Sequence, residues 1–136
     1  MKLLAVSILL AAGVAGADST KTITTRKGHC TVSVPASWSG TTSVSSSPDK
    51  KQSIAVSDPD QSFDDLKTNV GMVYKDDKVT KNTATEFEME GTSPINNKPN
   101  VYRGIPRPGG VCIVEITYSG GSVDDARKIV RTLAAK

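Results

Sequence analysis

Aromatic residues are scarce in this chain. They make up 4% of its 136 residues, with one Trp, three Tyr and two Phe. Histidine occurs once, as His29, and cysteine twice, as Cys30 and Cys112. Two cysteines and one histidine fall short of the four ligands of a structural zinc site, and no metal or cofactor ligand set is read from the sequence. Nucleic-acid modules join a basic stripe to aromatics or a known motif. Here Tyr74, Tyr102 and Tyr118 are scattered, so no nucleic-acid partner is expected. There is no G-x-S-x-G elbow for a serine nucleophile and no N-x-[ST] glycosylation acceptor. No apolar run reaches the roughly 20 residues of a membrane-spanning helix, so no transmembrane segment is read. Charged residues are 23% without heptads, which excludes a coiled coil, and the formal net charge of +3 excludes a charged disordered tail.

The opening residues, MKLLAVSILLAAGVAGA, read as a signal peptide over residues 1–17. Lys2 is the positive start, Leu3 to Val14 the short apolar run, and Ala15-Gly16-Ala17 a small-residue cleavage site. The run of about a dozen residues is too short for an anchor. This predicts export, an extracytoplasmic (periplasmic or secreted) location, and a single domain over residues 18–136 beginning at Asp18. In an exported chain an even cysteine count predicts a disulfide, and Cys30 with Cys112 is the one pairing open. Two buried free thiols are the alternative. Closing a loop of roughly 80 residues contributes roughly 4 to 5 kcal/mol in loop-closure entropy.

Alternation of apolar and polar residues predicts strands. Ile23 to Thr25 is a short first one. Gly28 to Val34 is clearer, with Cys30, Val32 and Val34 on one face, and Pro35 ends it before Trp38. Thr41 to Ser46 is a polar, Ser-rich candidate, and Gln52 to Ser57 alternates again. Ser62, followed by Asp65, opens a helix with Phe63, Leu66, Val70 and Val73 at helical spacing. Lys78 to Thr83 and Ala84 to Glu90 read as strands. Pro99 to Ile105 and Val111 to Tyr118 form a hairpin around a longer Pro-Gly loop, and the two prolines predict a short or edge first arm. Cys112, Val114, Ile116 and Tyr118 share one face. Ser122 with Asp125 opens a second helix, its apolar face carrying Val123, Ala126, Ile129, Val130 and Leu133. The order of strands, helix, strands, helix predicts an α+β domain, an antiparallel β-sheet flanked by helices.

Three segments carry a family resemblance: Val32-Ser33-Val34-Pro35-Ala36-Ser37-Trp38, Ser62-Phe63-Asp64-Asp65-Leu66, and Ile129-Val130-Arg131-Thr132-Leu133. With the order of elements they resemble the PsbP-like superfamily over most of residues 22–134. That superfamily includes photosystem extrinsic subunits and bacterial periplasmic proteins. The resemblance implies an α/β/α sandwich without an enzymatic site, acting in binding or assembly.

Each reactive residue has a plain structural reading. Neighbours on a strand point to opposite faces, so His29 and Cys30 cannot share a proton in one pocket. His29 reads as a solvated strand residue. Glu86, Glu88 and Glu90 form an acidic stripe, read as a wet surface paired with cations such as Arg103 and Lys98. Asp58, Asp60, Ser62 and Asp64 have the spacing of a calcium loop, but its required Gly and Glu places hold Phe63 and Asn69. They read as a helix-start cluster. Arg127, Lys128, Arg131 and Lys136 are basic residues off the apolar face of the second helix. Trp38 reads as a seal at the end of the sheet, although Trp38 or the Glu86-Glu88-Glu90 face could also form a binding surface. No catalytic set is found. The sequence reading is an exported, non-catalytic binding or accessory protein whose partner is another protein. The alternatives are a secreted effector or inhibitor and, last, a small hydrolase.

Overall fold

In the computed structural model, residues 19–136 are described; the leader read over residues 1–17 lies outside them. The chain starts with a hairpin. β1 (Thr20–Thr24) pairs antiparallel with β2 (Cys30–Pro35), Ile23 facing Val32 across the ladder. Gly28, at φ +80°, supplies the left-handed turn between them. β1 begins three residues earlier than alternation predicts, because Thr20 to Thr22 are polar on both faces. His29 precedes β2 instead of lying in it.

A longer ladder follows. β3 (Ser39–Gly40), β4 (Val44–Ser46) and β5 (Gln52–Ser57) form a meander. Then comes α1 (Phe63–Val73), N-capped by Ser62, whose Oγ accepts from the Asp65 amide at 3.1 Å. β6 (Lys78–Asn82), β7 (Phe87–Thr92), β8 (Pro99–Arg107) and β9 (Gly110–Tyr118) complete the sheet. Its order is β3-β4-β5-β9-β8-β7-β6, so α1 carries the chain from β5 to the far edge. α2 (Val123–Val130) is N-capped by Ser122, whose Oγ accepts from the Asp125 amide at 3.2 Å. Last, β10 (Ala134–Ala135) joins β2, giving a second sheet of order β1-β2-β10.

The β8–β9 hairpin departs from expectation twice. Its connection is tight, Pro108 and Gly109, with Gly109 at φ +77° as a type II turn requires. And β8 is neither short nor at an edge: it runs nine residues between β7 and β9. The prolines fit because of where they fall. Pro99 opens the strand, and Pro106 lies past Gly104, where the β7 pairing has ended. Its missing N–H removes no ladder bond there.

The long sheet buries both faces differently. On one, α1 lays Leu66 and Val70 against Phe87, Met89, Tyr102 and Val111. Gly104 leaves its Cβ space to Leu66, whose Cδ2 would stand 2.6 Å from a methyl there. On the other face, Ile54, Val56, Val101, Val114 and Ile116 meet Val32 and Val34 of the small sheet and Ala126 and Val130 of α2. Each fully buried Val, Leu or Ile contributes about 1.5–3 kcal/mol. Trp38, 5% exposed, packs into this second core. The structure is therefore α+β, two antiparallel sheets with helices on both faces of the larger. The Cys30–Cys112 disulfide joins β2 to β9, with Cα atoms 5.7 Å apart, and so ties one sheet to the other.

Candidate functional site

The acidic stripe on β7 is not a wet surface. Glu88 has no solvent exposure at all. The side chains of Phe87 and Met89 point to α1, so Glu88 and Glu90 point to α2. There Arg131 donates to both oxygens of Glu88, Nε at 3.1 Å and Nη2 at 3.0 Å. Arg127 does the same for Glu90, at 2.5 and 2.8 Å, and its third nitrogen reaches Asp124. Arg103 of β8 donates to Glu86 at 2.8 Å and stands 3.9 Å from Glu88. Lys81 adds a contact to Glu86. Lys98 takes no part. Three carboxylates thus meet three guanidiniums in a layer between β7, β8 and α2.

The electrostatics follow. The Arg103 guanidinium holds the Glu86 carboxyl below the usual range. Arg127 and Arg131 are pushed up by Glu90 and Glu88 respectively. A general acid needs the reverse setting, a carboxyl kept from cations so that it retains its proton near neutrality. Fork-to-carboxylate pairs of this kind fix geometry. Here they fix α2 on the sheet.

The helix-start aspartates also serve separate structural ends. Asp58, 6% exposed, accepts from Thr25 Oγ1 at 2.6 Å and from the His29 amide at 3.3 Å. Burial pushes its carboxyl up, but the bonds from Thr25 and His29 outweigh this and hold it low. Asp60 takes Arg107 at 2.7 Å and Lys27 at 3.2 Å. Arg107 also donates to the Asp58 and Val111 carbonyls, stitching the β8–β9 turn to the start of α1. Among the described residues, no three of His, Cys, Asp and Glu gather as metal ligands would. The ring of His29 is exposed, and the chain uses its backbone: its carbonyl accepts from the Lys136 amide.

The remaining candidate is a surface. Ile95 is 84% exposed, Met72 66% and Val73 59%. Val73 and Pro94 line one cleft with Tyr74, Asp77, Thr92 and Asn97, so α1's last turn and the β7–β8 loop stand side by side. That loop is firmly built. Ser93 and Lys98 close it backbone to backbone at 2.8 Å, Asn97 takes φ +58°, and Asn96 Nδ2 donates to Thr117 Oγ1 at 3.3 Å. A hydrogen-bonded loop holding a bare isoleucine is a feature alternation does not reveal, since it lies outside any strand. Trp38, in contrast, is spent in the core, with its carbonyl accepting from Lys21 Nζ.

The fold is shared with PsbP proteins. The solution structure of cyanobacterial PsbP (CyanoP) from Synechocystis sp. PCC 6803 matches with a TM-score of 0.55. The match covers 89% of this chain and 95% of that one, at 10% sequence identity. No protein-family model matches the sequence, and no curated protein matches it.

Proposed function

We propose that the chain works outside the cytoplasm as a non-catalytic binding or accessory protein whose partner is another protein. The observation that carries this reading is the use made of the reactive side chains. The sulfurs are joined, Glu86, Glu88 and Glu90 are engaged by guanidiniums, and His29 is exposed, its backbone bonded into the fold. The Thr25 hydroxyl that donates to Asp58 is buried together with it. Among the described residues the large apolar side chains most exposed to water are Ile95, Met72 and Val73, ahead of Val79 and Val44. A pre-ordered loop adds little ordering cost on association, which suits a contact surface. The PsbP-like fold and the disulfide support an exported accessory role.

The test uses the mature protein returned to its native compartment with a photo-crosslinker at position 94. One protein should be crosslinked in near-stoichiometric yield, and Ile95→Asp, folded by circular dichroism, should abolish it. Turnover in a substrate screen, lost on a single side-chain substitution, would overturn the reading.

A further inference from the structure

Asp77 closes the turn from α1 to β6, and one of its oxygens has no partner. Oδ1 accepts from the Thr92 amide at 3.2 Å and fills the space a Cβ would need at Gly91. Oδ2 is shut off from solvent with no donor. On β8, Asn100 is 1% exposed and pairs across the ladder with Gly91, whose Cβ space Asp77 fills. Asn100 Nδ2 donates to Glu115 Oε2 at 3.0 Å, while its Oδ1 is also buried without a donor. Two buried acceptors without donors each cost the full desolvation penalty. A single proton on Asp77 Oδ2 turns one acceptor into a donor for the other.

The Asp76 charge favours that proton. The turn itself brings Tyr74, Lys75, Asp76 and, on β6, Lys78. β7 offers the uncharged Gly91 and Thr92, β8 Asn100, the β7–β8 loop Lys98, and β9 Glu115. Among the described residues no Lys or Arg pairs with Asp77. We propose that Asp77 is a proton-operated latch. Protonated, its Oδ2 donates to Asn100 Oδ1 and clamps the α1–β6 turn to β7 and β8; ionised, the clamp opens and the Ser93–Lys98 loop loses an anchor. Burial pushes this carboxyl up, and the Asp76 charge adds to it, against the Thr92 amide bond and the nearby Asn100 amide.

The sign follows from linkage. A carboxyl whose folded value is raised binds more protons folded than unfolded, so its stabilisation is complete at low pH and is lost as pH rises toward the folded value. The experiment follows the Asp77 carboxyl by carbon-detected NMR and urea unfolding of the mature chain from about pH 4 to about pH 8, beside Asp77→Asn and Asp76→Asn. The Asp77 resonance should titrate above 3.8, the ordinary value. The folding constant of the wild type relative to Asp77→Asn should fall with rising pH, by up to about tenfold per unit, then level off. Asp76→Asn should track the wild type. A carboxyl that titrates at or below the ordinary value overturns the latch, as does a wild-type to Asp77→Asn ratio that stays constant. Should Asp77→Asn fail to fold, the wild-type titration alone decides.

Discussion

Removing Arg131 should damage the fold more than removing its partner Glu88, although the two make the same pair of bonds. Glu88 is wholly buried, while the Arg131 side chain is 43% exposed. Arg131→Ala strands a carboxylate in a dry layer. What remains to it is Thr80 Oγ1 at 3.3 Å and Arg103 at 3.9 Å. Breaking a buried pair from one side costs about 3–5 kcal/mol, and the residual contacts place this case near the lower end. Glu88→Leu is the milder change. It puts a side chain of similar size against β8 and α2, and the freed guanidinium can turn to water. A cost of about 1 kcal/mol is expected, and Glu88→Leu with Arg131→Leu should fall within about 1 kcal/mol of the wild type. Urea unfolding followed by circular dichroism measures all three, with an unchanged slope as the condition for comparing midpoints. The reasoning fails if Arg131→Ala is no worse than Glu88→Leu. It also fails if the double variant is less stable than Arg131→Ala alone.

Replacing both Cys30 and Cys112 by Ala should cost about 2–5 kcal/mol in urea unfolding. Both cysteines have no solvent exposure, so reductant without denaturant should release no titratable thiol from the wild type over hours. Ser62→Ala and Ser122→Ala should each cost about 1 kcal/mol by thermal or urea unfolding. The caps lie on opposite faces of the long sheet, so the double variant should show the sum. Asp58 is held below its ordinary value of 3.8, so its stabilisation is present above that value and lost as pH falls through the depressed one. Unfolding midpoints measured across the acid range should therefore drop less steeply for Asp58→Asn than for the wild type.

The elements written in local chemistry were legible in the sequence. Cys30 to Pro35 and Gln52 to Ser57 alternate cleanly because each buries one face. Both helices announce themselves by a serine cap with Asp three residues on, and both serines make the bond that spacing implies. What escaped is set by distant partners. β10 is two alanines, with no pattern of its own. It exists because β2 has a free edge there, where Ala135 faces Cys30. Without β10, the separation of the strands into two sheets is invisible. The prolines of β8 mislead for a related reason: whether a missing N–H matters depends on how far the neighbouring strand extends.

Glu88 shows where a correct pattern leads to a wrong environment. Alternation rightly puts Glu88 and Glu90 together on one face, but water is only one thing that face can meet. The signal lay about 40 residues downstream. Residues two apart on a strand are separated by about 6.8 Å. Residues four apart on a helix rise by about 6 Å. Arg127 and Arg131 thus match Glu90 and Glu88 in spacing, and the crossed order of the pairs requires α2 to run antiparallel to β7. A carboxylate pair at i and i+2 on a strand, with an arginine pair at i and i+4 on a later helix, is consequently a packing instruction. It fixes which face the helix covers and its direction along the strand, whereas a purely apolar stripe, being non-directional, would leave that direction open.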